Sequence, residues 1–254
     1  MLSLQLMKYA IVPILIMCLT ACHVKTKQAN KRGLEYMKQN RYEQAVAEFN
    51  DILQEDAYWL PAYYNRAIAL ANTQQYKKAL EDFNYVLAHY PDHADAYFNR
   101  GIVYENLGLY ANAIQDYTET IRLRPGFIQA YHYRGIARFR MLDLDGALQD
   151  YNRALELGRN LQIDLSAAKA LGLNSSALYF NRGAVFQKKG DYESAIADYT
   201  ETIRIDPSSA KAYYNRGIAK LSLSQGQEAA SDLEIASRLG YEPAKQALAK
   251  YFGD

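Results

Sequence analysis

Two histidines and two carboxylates crowd into the stretch His89-Tyr90-Pro91-Asp92-His93-Ala94-Asp95, and imidazole with carboxylate is a pairing that holds zinc. On a continuous helix His89 and His93 would stand one turn apart, but Pro91 interrupts any helix there and sets them on opposite sides of a turn. They are expected to be solvated turn residues, with no metal bound. Other sources of covalent chemistry are absent: the chain has no Gly-x-Ser-x-Gly elbow, no glycine-rich phosphate loop and no paired-cysteine spacing. No catalytic residue and no cofactor are therefore predicted, and the chain is not expected to be an enzyme.

A second set of charged residues is more regular. Arg32, Arg66, Arg100, Arg134, Arg182 and Arg216 are each followed 16 residues later by an acid, namely Glu48, Asp82, Asp116, Asp150, Asp198 and Asp232. Such an offset could serve a ligand clamp or a charge relay. The arginine lies about 60° from a neighbouring tyrosine on a helical wheel, which favours an ion pair at the edge of helix packing. Pairs of that kind contribute register more dependably than stability.

The elements that position these residues follow from a period. Tyr63, Tyr97, Tyr131, Tyr179 and Tyr213 are separated by 34, 34, 48 and 34 residues, and Ala45, Ala79, Ala113, Ala147, Ala195 and Ala229 keep the same beat. Within one unit Tyr97, Gly101 and Tyr104 share a helical face, as do Ala113, Tyr117 and Ile121, so each unit holds two amphipathic helices. Pro91, Pro125 and Pro207 stand where the second helix must stop. This pattern resembles the tetratricopeptide repeat family, whose aromatic, small, aromatic, Ala, aromatic and Pro positions are matched by Tyr97, Gly101, Tyr104, Ala113, Tyr117 and Pro125. The resemblance implies an all-α fold, a right-handed superhelical solenoid of six helix pairs with a C-terminal capping helix. Repeats one to four occupy 26–161 and repeats five and six 176–243, and the tail from Glu242 onward, segment 244–254, reads as the cap. Segment 162–175 supplies the long step and reads as one inserted short helix. It either re-angles two sub-arrays or binds a partner.

The asparagine after the repeated tyrosine points elsewhere. Asn65, Asn99, Asn181 and Asn215 follow the core tyrosine by two positions, about 200° round the helix. By the family resemblance that face is the concave groove, where Asn72, Asn106 and Lys188 follow seven residues on. Asparagine is a poor residue for a helix interior, so its recurrence, interrupted by Tyr133, suggests partner binding. An amide offers both donors and an acceptor to an extended peptide backbone. The fifth repeat positions, Tyr64, Phe98, His132, Phe180 and Tyr214, and the ninth, Ile68, Ile102, Ile136, Ala184 and Ile218, lack the Lys and Asn that resembling repeat proteins use to clamp a chaperone's terminal carboxylate.

Residues 1–21 stand outside the array. Lys8 precedes an apolar run from Tyr9 to Leu19, and the ending Leu19-Thr20-Ala21-Cys22 resembles the bacterial lipobox. The resemblance implies acylation of Cys22, residues 22–25 as a short tether, and, with His23 next, the periplasmic face of the outer membrane where two membranes exist. Met7 is a possible alternative start. Without Lys8, basic and acidic residues balance at 28 each, which argues against nucleic acid as a partner. The expected function is a lipid-tethered scaffold or adaptor of the bacterial envelope that binds extended segments of proteins. The partner classes are cell-wall enzymes, secretion or pilus components, and outer-membrane assembly. The alternative is an accessory binder of exported polysaccharide, which the 23 tyrosines allow.

Overall fold

The computed structural model describes residues 25–160 and 175–253. Cys22 and most of the 162–175 segment lie outside them. The described residues form thirteen α-helices. In chain order these are α1 (25–38), α2 (Tyr42–Glu55), α3 (Leu60–Asn72), α4 (Tyr76–His89), α5 (Ala94–Asn106), α6 (Tyr110–Leu123) and α7 (Ile128–Arg140). There follow α8 (Leu144–Asn160), α9 (Ser175–Lys189), α10 (Tyr192–Ile205), α11 (Ala210–Ser222), α12 (Gly226–Arg238) and α13 (Glu242–Phe252). They fall into two compact units that divide after Gly108, the first holding α1 to α5 and the second α6 to α13. Each unit is built as a solenoid, helix pair stacked on helix pair.

Small residues make the close approach within a pair possible. The second-helix alanines Ala45, Ala79, Ala113, Ala147, Ala195 and Ala229 are all fully buried. Opposite them the first helix carries glycine or alanine: a Cβ built on Gly135 would lie 2.7 Å from a ring carbon of Tyr151. Tyr151 and Tyr199, with Phe49 and Phe83, are themselves fully buried, so the aromatic ring fills the space that the missing side chain leaves. In the first unit one core joins Ala67, Leu70, Phe83 and Val86 to Ala96 and Val103 of α5. In the second, α13 closes the array by packing Ala244 and Ala247 on Leu233 and Ala236.

The turns between first and second helices are built on a left-handed residue. Asn40, Gln74, Leu142 and Ser224 adopt φ of 58°, 60°, 63° and 60°, where the corresponding places elsewhere hold Gly108 and Gly190. In each, the following amide reaches back to the last turn of the helix, as from Gln75 to the Leu70 carbonyl at 2.9 Å and from Asp143 to Arg138 at 2.9 Å. These are the hydrogen bonds of a helix ended by a left-handed cap. Leu142 is the outlier, a 67% exposed leucine in a conformation that costs a side chain about 1 kcal/mol or more.

The helices flanking the long step stack as ordinary neighbours. Arg182 of α9 donates to Asn152 of α8 at 2.6 Å, and Asn181 donates to His132 of α7 at 2.9 Å. The same contacts join repeats elsewhere that have no insertion between them. Segment 162–175, read from the sequence as re-angling two sub-arrays or binding a partner, lies almost wholly outside the described residues, and the helices on either side of it pack directly on one another.

Candidate groove and the residues that face it

Two clefts of about 380 Å³ each open on the first-helix faces, one in each unit. The cleft of the first unit has Ile68, Ile102 and Phe83 as apolar wall, and Asn72, Asn99 and Asn106 as its polar lining together with Gln74. Three of the expected binding residues are therefore brought together. The cleft of the second unit is walled by Phe139, Tyr192 and Ile218 and carries Lys188 beside Gln187 and Ser222. Asn65, Asn181 and Asn215 line neither cleft.

The reason lies in what surrounds a first helix. A wheel argument gives such a helix one packed face and one solvated face, but in a stack its flank also meets the first helix of the preceding repeat. Asn99 donates from Nδ2 to Tyr64 Oη at 3.0 Å and to the Asp95 carbonyl at 2.8 Å. Asn181 makes the equivalent bond to His132, and Asn215 is bonded to the phenol of Tyr199. All four repeated asparagines are half-buried. The expectation that they point away from the packing holds poorly for these three, which tie one repeat to the one before. Position 13 of the repeat, where Asn72, Asn106 and Lys188 stand exposed, is the strip that remains open.

His132 is the one titratable imidazole among the half-buried rings at its repeat position, which elsewhere are Tyr64, Phe98, Phe180 and Tyr214. Burial lowers its pKa to about 4, so at neutral pH it is uncharged. Nε2 then accepts from Asn181 and the ring proton sits on Nδ1. His89 and His93, by contrast, do not converge. Nδ1 of His93 accepts from the Ala96 amide as an N-cap of α5, with its ring 4.7 Å from that of Tyr64, while His89 contacts the Tyr85 carbonyl at 2.8 Å. His93 is half-buried and not the solvated turn residue expected.

Five of the six charged pairs have both partners in one unit, and all five are formed. Arg66 grips Asp82 with two bonds of 2.8 and 2.7 Å, Arg134 grips Asp150 at 3.0 and 2.7 Å, and Arg216 grips Asp232 at 2.8 and 2.6 Å. Arg182 does the same to Asp198 at 2.7 Å twice, and Arg32 to Glu48 at 2.9 and 2.7 Å. Arg100 and Asp116 stand in different units. At Asp82 burial raises the carboxyl pKa and the fork from Arg66 offsets only part of that, while Asp82 in turn raises the pKa of Arg66.

A model described as Tetratricopeptide repeat matches residues 30–87 and 64–126, and one described as TPR repeat matches 183–223, together more than half of the chain. The chain belongs to the tetratricopeptide repeat family. Among curated relatives, the TPR repeat-containing thioredoxin TDX of Arabidopsis thaliana is 41% identical over 78 residues, 31% of this chain and 20% of that protein. The photosystem I assembly protein Ycf3 of Acaryochloris marina is 29% identical over 93 residues, 32% of this chain and 56% of that one. The matched segment thus spans about a fifth to just over half of these relatives. Among solved structures, Pseudomonas aeruginosa pilF superposes with a TM-score of 0.71 at 18% identity, covering 89% of this chain and 99% of its own. YrrB, described as a TPR protein with an unusual peptide-binding site, superposes with a TM-score of 0.63 at 21% identity, covering 78% of this chain and 96% of its own. At these identities the likeness is one of fold.

The repeats explain a contact that the 16-residue spacing alone does not predict. From the second repeat onward, one guanidinium nitrogen of each repeated arginine donates to a short polar side chain on the second helix of the preceding tetratricopeptide repeat. Arg66 reaches Asn50 at 2.7 Å, Arg100 reaches Asn84 at 2.7 Å, Arg134 reaches Thr118 at 3.0 Å and Arg216 reaches Thr200 at 3.1 Å. The signal was present in the sequence as Asn50, Asn84, Thr118, Asn152 and Thr200 at one repeat position. In these five repeats the guanidinium also lies over the tyrosine three residues before it, for example Arg66 at 5.2 Å from the Tyr63 ring centre. The arginine is thus a pin through two repeats, as at Arg66, where each of the three nitrogens donates to a structural partner.

Proposed function

We propose that this protein is a lipid-tethered, non-catalytic adaptor of the bacterial envelope that holds extended segments of partner proteins in its two first-helix clefts. The observation that carries the adaptor reading is the pair of equal clefts on the strip left open by repeat stacking, each combining an apolar wall with hydrogen-bonding groups. Tetratricopeptide repeat proteins act in protein–protein interaction, and the peptide-binding site described for YrrB supports the same use of this fold. The tether rests on the Leu19-Thr20-Ala21-Cys22 pattern. Among the described residues no helix is long and apolar enough to cross a membrane. Polysaccharide binding gains less support, since Tyr76 and Tyr192 are the tyrosines of the two clefts and both are half-buried.

Two experiments test the two halves. Photoreactive residues in place of Ile102 or Ile218 should capture envelope proteins in living cells, and one in place of Lys77 on the outer helix should not; capture from Lys77 alone would place the working surface elsewhere. Cys22→Ser should release the still-folded array from the membrane fraction. Retention of the variant after a high-salt wash would contradict a tether made by lipid.

A further inference from the structure

The two clefts are alike in volume and differ in the atoms they offer. In the first unit, Asn72 donates from Nδ2 to the Ile68 carbonyl at 2.9 Å and Asn106 to the Ile102 carbonyl at 2.8 Å. A carbonyl can only accept, so these assignments are fixed by chemistry: the NH2 faces the helix and the amide oxygen is turned outward. Asn99 spends both amide protons, on Tyr64 and on Asp95. The first cleft therefore presents the outward amide oxygens of Asn72 and Asn106, beside the half-buried Tyr76 ring and the amide of Gln74, and has no charged side chain in its lining.

The second unit reverses this. Tyr199 donates its phenol proton to Oε1 of Gln187 at 2.7 Å, which ties the amide oxygen to that ring and leaves both protons of the NH2 for Gln187 to offer. Lys188 adds an ammonium, the one charge in the lining. Ser222 gives its proton to the Ile218 carbonyl at 3.3 Å and presents an oxygen, a lesser contribution beside a full positive charge.

Resting on the groove reading above, we infer that the clefts read opposite charges on an extended peptide: the first takes an arginine side chain and the second a glutamate or aspartate. Arginine suits the first cleft for three reasons. Its guanidinium is weakly hydrated and presents five donors to neutral oxygens, its stem lies along apolar surface such as Ile68 and Ile102, and its flat face stacks on an accessible ring, here that of Tyr76. A carboxylate would meet the outward oxygens of Asn72 and Asn106 and find no cation in the lining to offset the loss of its hydration. In the second cleft the same carboxylate finds an ammonium and an amide NH2.

The test uses the full chain and three acetylated, amidated pentapeptides, alanine throughout except for a central Arg, Glu or Ala. Titration followed by backbone amide NMR shifts reports each cleft separately, at Asn72 and Asn106 for the first and at Lys188 and Ser222 for the second. The Arg peptide should shift the first set at lower concentration than the Glu peptide, and the order should reverse for the second set. Asn72→Asp with Asn106→Asp gives up the bonds to the Ile68 and Ile102 carbonyls, which frees the side chains to turn outward, and adds charge at the cleft, so it should tighten the Arg peptide by about fivefold or more and leave the second cleft unchanged. Lys188→Glu should invert the preference of the second cleft alone. Both sites lie on exposed positions, and unchanged circular dichroism checks that the variants fold. Binding of all three peptides to both clefts without charge preference overturns this inference and leaves the adaptor reading standing. Shifts in neither cleft with any peptide would overturn both.

Discussion

His132 occupies the repeat position that holds Tyr64, Phe98, Phe180 and Tyr214 elsewhere, and it is the acceptor for Asn181 across the long step. With a folded pKa of about 4 against an ordinary value of about 6.5, the native state resists protonation while the unfolded chain accepts it. The stabilising contribution of neutral His132 is thus intact above pH 6.5 and is lost progressively as pH falls toward 4. Tyrosine preserves an acceptor, as Tyr64 does for Asn99, without titrating in that range. His132→Tyr should therefore reduce the loss of unfolding free energy between pH 7 and pH 5 by about 1 to 2 kcal/mol, measured by urea denaturation at both pH values. An identical pH dependence in the two proteins would show that His132 protonates freely in the folded state. The asparagine itself was legible as a recurring residue, but its direction was not. A wheel treats one helix, whereas Asn99 and Asn181 answer to the helix before them.

Between elements, the arginine pins set the stacking. Arg182 joins α9 to α10 through Asp198 and to α8 through Asn152. Asp198 is 4% exposed, so Arg182→Ala strands a buried carboxylate and should cost about 3 kcal/mol. Asp198→Ala leaves the more exposed guanidinium and should cost less. Removing both should cost clearly less than the sum of the two, because the second change deletes a charge the first has orphaned. Additive losses in a chemical-denaturation cycle would reduce the 16-residue spacing to inherited pattern. The helices themselves were readable because the 34-residue beat of tyrosine and alanine imposes two apolar stripes per unit. The first-to-second-helix turns were not, since Gln74, Leu142 and Ser224 take a left-handed conformation that glycine favours and nothing in their type announces. The inserted segment was visible as a 48-residue step, yet only the Arg182 and Asn181 contacts reveal that stacking continues past it.

Across the whole molecule the net charge is only +1, and among the described residues the repeated arginines hold register, the repeated tyrosines largely pack, and a strip of exposed side chains runs along the first helices of each unit. The account stands on that strip being the working surface. Asn72, Asn106 and Lys188 are exposed, and alanine is the better helix former, so replacing all three with alanine should leave the unfolding midpoint unchanged or slightly higher. Three lost contacts at about 1 kcal/mol each would weaken a complex by roughly a hundredfold. The matching control replaces Lys77, Lys78 and Glu81, exposed on the outer face of α4, with alanine. The decisive measurement is quantitative capture of envelope proteins from cells by the intact chain and by these two variants, compared by mass spectrometry at equal protein level. The account predicts that the cleft variant loses its partners and the outer-face variant keeps them; the opposite result, with the cleft variant retaining its full set, would contradict it.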